Sequence, residues 1–60
     1  MTSREREVLA LIVRGKTNKV IAHELGVTES TVKQHAQRIY KELGVRNRAQ
    51  AIAKTLGGVV

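Results

Sequence analysis

The sequence contains no cysteine, no proline, no tryptophan and no phenylalanine, and its single aromatic residue is Tyr40. Without cysteine there is neither a disulfide framework nor a set of thiolates for structural zinc. The same absence fits a reducing cytosol, so a cytoplasmic location is expected. Without aromatics, a core must be assembled from Leu, Ile, Val and Ala. Long apolar runs are also missing. The longest, Val8 to Val13, falls far short of the roughly 20 residues that a membrane-spanning helix needs. The opening residues carry no charged-then-apolar signal pattern. Acidic residues are scarce as well: five Asp+Glu stand against eleven Lys+Arg, a formal net charge of +6 in 60 residues.

So basic a balance in so short a chain points to a polyanionic partner, whether nucleic acid, an anionic surface or an acidic protein. The bias is uneven. Between Arg14 and Arg48 lie eight basic residues and three acids, Glu24, Glu29 and Glu42. The first turns instead alternate in sign through Arg4, Glu5, Arg6 and Glu7. Length limits the rest. A domain of this size buries about 60% of the surface its unfolded chain exposes, and its stability falls at roughly 3–9 kcal/mol. One domain, residues 1–60, is expected.

Periodicity predicts an all-α chain of four helices, at about residues 3–14, 18–25, 29–43 and 48–56, with no strand. Thr2 and Glu5 form a capping box for the first, and Val8, Leu9, Ile12 and Val13 its apolar stripe. Gly15 sits where a left-handed residue ends it. Thr17 or Asn18 caps the second helix, Ile21, Ala22 and Leu25 are its stripe, and Gly26 stops it. Thr28 caps the third, with Glu29 on the positive end of the dipole. Its stripe is Val32, Ala36, Ile39 and Leu43, and Gly44 closes it. Asn47 and Gln50 make a variant capping box for the fourth, whose stripe is Ala49, Ile52, Ala53 and Leu56. Gly57 and Gly58 end that helix, and Val59 and Val60 are expected to fray.

The join between the second and third helices is the informative feature. Ala22, Gly26, Val27 and Val32 supply a small residue at a helix crossing, a left-handed corner, an apolar plug and a core contact. That is the pattern of a helix-turn-helix. The outward strip of the third helix carries Ser30, Lys33, Gln34, Gln37, Arg38 and Lys41, without an acid. Gln pairs with adenine edges and Lys reaches guanine O6 and N7. With the N-terminal half of such a helix against the bases, Lys33, Gln34 and Gln37 are the predicted base contacts. Ser30, Thr31, Arg38 and Lys41 fall nearer the phosphates. Glu29 could accept from a cytosine amine or stay in solvent.

The motifs Thr2-Ser3-Arg4-Glu5-Arg6-Glu7-Val8-Leu9, Gly15-Lys16-Thr17-Asn18-Lys19-Val20-Ile21-Ala22, Thr31-Val32-Lys33-Gln34-His35, Lys41-Glu42-Leu43-Gly44-Val45 and Asn47-Arg48-Ala49 closely resemble the LuxR-type (FixJ/NarL-type) helix-turn-helix domain. They recur in the family's order and spacing over nearly the whole chain. The resemblance implies a four-helix DNA-binding unit at the C-terminus of a bacterial transcription regulator, with the third helix as recognition helix. Base contacts on Lys33, Gln34 and Gln37 and phosphate contacts on Thr17, Asn18, Lys19, Ser30, Thr31 and His35 are carried over from it. It further implies a missing N-terminal sensor, most often a phosphoacceptor receiver of a two-component system, a weak homodimer through the fourth helix and RNA polymerase as a further partner. The chain departs from the family at Met1, where Leu is usual, as if at a trimmed boundary. It departs again at Gln37, a variable position often basic.

Other residues admit plainer roles. His35 lies at the edge of the core stripe, packed or touching phosphate, and His23 faces solvent. The two histidines are not at ligand spacing, so no metal site and no cofactor is expected. Glu7 could pair with Arg48 or Lys19, and Lys54 suits the negative end of its helix dipole. Arg48, Ala51 and Thr55, off the fourth stripe, form a small-residue face that suits a dimer contact, while Val45 could join either core or dimer surface. No nucleophile–base pair, carboxylate pair or phosphate loop appears, so no enzyme is expected. Two rival functions stand beside this one, a sigma-factor-like promoter-recognition domain and a basic helical protein-interaction module.

Overall fold

The computed structural model describes residues 1–57. These form four helices: α1 (Ser3–Val13), α2 (Asn18–Leu25), α3 (Glu29–Leu43) and α4 (Arg48–Thr55). The first and last are each one residue shorter than periodicity predicts. At those ends Arg14 and Leu56 serve as caps rather than helical residues, the kind of shift expected where helices fray. The expectations for Gly58, Val59 and Val60 lie outside the described residues.

Local chemistry starts each helix. The α1 capping box is complete: Glu5 N–H donates to Thr2 Oγ1 at 3.1 Å, and Thr2 N–H donates to Glu5 Oε1 at 3.0 Å. Thr17, rather than Asn18, caps α2, and Thr28 caps α3. The α4 start is a true variant. Asn47 Oδ1 accepts from Gln50 N–H at 2.9 Å, but the Gln50 carbonyl turns to Arg46 N–H at 2.8 Å, one residue before the cap.

The core is small and aliphatic. Val8, Ile12, Ile21, Val32 and Ile39 are wholly buried, with Ala22 and Ala36 between them. Leu9, Leu11, Leu25, Val27, Tyr40, Leu43 and Ile52 pack around this cluster. The α2–α3 corner turns at Gly26, in the left-handed region at φ 69° and ψ 34°. Val27 N–H closes the corner by donating to Ala22 O at 3.0 Å. Half-buried Val27 plugs it against the core, as the sequence pattern requires.

The expected apolar stripe of α4 is corrected. Its inward face is Ala51, fully buried, with half-buried Ile52 and Arg48. Ala49, Ala53 and Leu56, expected to form the stripe, are exposed, Leu56 at 70%. At 100° per residue the two triplets lie about a third of a turn apart. The inward triplet holds one alanine with Ile52 and Arg48, the outward one two alanines with Leu56, so hydropathy favours the face that the structure leaves exposed. Packing decides otherwise. α4 rests against both α1 and α3, and Ala51 allows the close approach. Two charged groups also find unforeseen partners. Glu7 pairs with Arg4 at 3.1 Å on its own helix, not with Arg48 or Lys19. Lys54 Nζ donates to the Leu43 carbonyl at 2.6 Å, so it complements the C-terminal end of α3 from across the interface between α3 and α4.

Candidate nucleic-acid interface

α3 carries the expected outward strip. Val32, Ala36 and Ile39 anchor one face in the core. Ser30, Lys33, Gln34, Gln37, Arg38 and Lys41 are all exposed. The 15-residue helix is roughly 22 Å long, enough to span several base pairs of a major groove. At its start Thr28 Oγ1 accepts from Thr31 N–H at 3.1 Å and lies 3.0 Å from the Thr31 hydroxyl. Thr31 is therefore half-buried and held by the cap.

Charge on the strip is not neutralised from within. Among the described residues, Lys19, Lys33, Arg38 and Lys41 form no ion pair, while the acids Glu7 and Glu24 are held elsewhere by Arg4 at 3.1 Å and by Lys16 at 3.6 Å. Cations that carry no internal partner keep their full attraction for an external polyanion. Glu29 is exposed at the start of α3.

The N-terminus of α2 is the second component. Thr17 Oγ1 accepts from Val20 N–H at 3.2 Å, and Lys19 is exposed. Half-buried Asn18 directs its carbonyl oxygen to Arg48 Nη1 at 3.2 Å. Arg48 Nη2 donates to the main-chain carbonyl of Lys16. His35 is half-buried, and its Nδ1 is shielded from solvent without a hydrogen-bond partner among the described residues.

The residues placed together at a dimer face are separated. Ala51 is sealed in the core, so it cannot meet another chain's helix unless α4 lifts away. Arg48 is turned onto its own chain, and of the three only Thr55 is exposed. The Arg48 bridge itself spans some thirty residues of sequence, beyond any local pattern. One signal does hint at it: a cation in the first turn of a helix faces the positive dipole end, which favours a tertiary partner that compensates.

Among the described residues no helix is long and apolar enough to cross a membrane. Comparison with known proteins places these elements in context. Residues 1–55 match the family described as bacterial regulatory proteins, luxR family. The chain is 46% identical over 56 residues to the spore germination protein GerE of Bacillus subtilis, covering 93% of this chain and 76% of that protein. It is 50% identical over 56 residues to a probable transcriptional regulatory protein NarL of Mycobacterium tuberculosis, again over 93% of this chain but 26% of the relative. To the probable transcriptional regulatory protein SgaR of Hyphomicrobium methylovorum it is 49% identical over 53 residues, 88% of this chain and 25% of the relative. The chain thus spans about a quarter of the length of two of these three relatives.

Proposed function

The chain belongs to the luxR family of bacterial regulatory proteins and is a helix-turn-helix DNA-binding domain; from that premise we propose that α3 enters the major groove and reads sequence there. The observation that supports this most directly is the exposed strip of α3, whose cations form no ion pair among the described residues. Lys33, Gln34 and Gln37 contact base edges. Thr17, Asn18, Lys19, Ser30, Thr31, Arg38 and Lys41 grip the phosphates, and His35 joins them through Nε2, since its Nδ1 faces inward. These contacts position the helix, while the base contacts specify the site.

Family membership sets aside the sigma-factor-like and protein-interaction alternatives. The parent protein is a transcription regulator whose sensor part answers a signal; the reading as a two-component response regulator is supported by NarL of Escherichia coli, 45% identical over 51 residues and described as a nitrate/nitrite response regulator. RNA polymerase is a further partner of that parent. A second copy docks weakly on the outer face of α4, where Ala49, Ala53 and Leu56 are exposed.

Two substitutions test the division of labour. Lys33→Ala should relax sequence choice, with roughly 1–3 kcal/mol lost at a good contact. Lys19→Ala should weaken all duplexes alike and flatten the salt slope by about one unit. Equal effects of both variants on specific and random duplexes would refute the base-reading assignment. Selection of bound duplexes from a random pool supplies the specific site and shows whether half-sites repeat about one helical turn apart.

A further inference from the structure

Arg48 stands in the first turn of α4, where the helix dipole disfavours a cation. Its guanidinium is drawn across the fold instead. Nη1 donates to Asn18 Oδ1 at 3.2 Å, and Nη2 donates to the Lys16 carbonyl. The two acceptors flank Thr17, the N-cap of α2. One planar group therefore holds the entry to α2 from both sides of its cap.

The chemistry of the pair has a directional consequence. A guanidinium offers only donors, and an Asn side chain has one acceptor end and one donor end. The Asn18 atom facing Arg48 must be the carbonyl oxygen, as the hydrogen-bond network assigns it. The Asn18 NH2 is thereby turned away from Arg48, and it donates to no other group among the described residues. A group with two hydrogens and no lone pair to offer suits an anionic oxygen. It stands at the first residue of α2, where the backbone N–H groups and the dipole favour an anion as well.

We infer that Arg48 is a positioning residue for the DNA-backbone grip: by holding Asn18 Oδ1 and the Lys16 carbonyl, it turns the Asn18 amide NH2 toward a DNA phosphate. This rests on the reading above in which Asn18 contacts phosphate. Arg48 does not touch DNA in this arrangement. It acts through Asn18, and it ties the grip to α4. Lys cannot substitute, because a single ammonium on a flexible stem lacks the planar fork that reaches two fixed acceptors at once.

A double-mutant cycle on duplex binding tests the inference. The chain, Arg48→Lys, Asn18→Ala and the double variant are titrated with the selected duplex and with random duplex. Thermal unfolding of each sets an assay temperature at which all are folded. Arg48→Lys keeps the charge, and it should weaken both duplexes by about the same factor, on the order of tenfold for one charge-assisted hydrogen bond. Asn18→Ala should do likewise, and the double variant should bind no worse than Asn18→Ala alone. Losses that multiply in the double variant would show that Arg48 acts independently of Asn18, and would overturn the inference. Wild-type binding by folded Arg48→Lys would overturn it too, leaving the phosphate role of Asn18 intact if Asn18→Ala is weak. Wild-type binding by Asn18→Ala would instead refute that phosphate role and the inference with it. Asn18→Asp guards against loss of fold: it keeps an acceptor for Arg48, so it should unfold no earlier than the parent, yet bind DNA more weakly than Asn18→Ala. Binding by Asn18→Asp equal to the parent would overturn the inference.

Discussion

The corner of the helix-turn-helix offers the sharpest test of why the chain folds as it does. Gly26 has φ 69°, and a Cβ built on it would meet no heavy atom within 4 Å. Replacement by Ala therefore costs nothing in sterics with the rest of the molecule. What remains is local: the left-handed conformation costs an L-residue roughly 1–2 kcal/mol. Against this, Ala restricts the unfolded chain and recovers about 0.4–1 kcal/mol. The expected net loss for Gly26→Ala is about 1 kcal/mol, or about 4–8 °C in Tm for a domain of this size. Asn tolerates the left-handed region through local hydrogen bonds, so Gly26→Asn should lose less than Gly26→Ala. Gly44, with φ 70° and an equally open Cβ direction, should behave in the same way. Thermal and urea unfolding followed by circular dichroism measure all four variants. If Gly26→Ala matches the parent, or Gly26→Asn is the worse of the two, left-handed strain is not what glycine relieves at this corner.

Ile39 is wholly buried in the recognition helix, and Ile39→Ala should cost about 2–5 kcal/mol, a loss comparable to the whole stability and visible as unfolding at moderate temperature. Thr28→Ala removes the acceptor of the 3.1 Å bond from Thr31 N–H. It should cost about 1 kcal/mol in urea unfolding and should loosen the base-facing end of α3, seen as faster amide exchange there. Leu56→Glu, at a residue 70% exposed, should leave stability within about 0.5 kcal/mol while lowering any self-association measured by sedimentation. An unchanged association constant would remove the outer face of α4 as the dimer contact.

Much of the fold was legible because its signals are local. Thr2, Thr28 and Asn47 cap their helices by bonds to residues three positions on, and those partners are near in any helical conformation. Gly26 and Gly44 mark ends where the backbone turns left-handed. The outward strip of α3 followed from Val32, Ala36 and Ile39 facing in, because a long, strongly amphipathic helix has one way to lie. α4 has no such asymmetry. Its eight residues carry alanines on more than one face, and the choice of buried face came from Ala51 fitting close to its neighbours and Arg48 reaching the α2 entry. Glu5 shows the same limit on a smaller scale: its capping bond was foreseeable, but not that the helix would also bury it to 4% exposure.

By itself, the sequence determined four helices, their caps and corners, an aliphatic core and a polar, acid-free strip on the third helix. Those features depend on residues within a few positions of one another, whose geometry the backbone sets directly. Only the tertiary structure decided which face of α4 is buried, which carboxylates meet which cations, and that Arg48 holds Asn18 and the Lys16 carbonyl. The Arg48 contacts join residues about thirty positions apart, and only the packing of α4 against α1 and α3 brings them together.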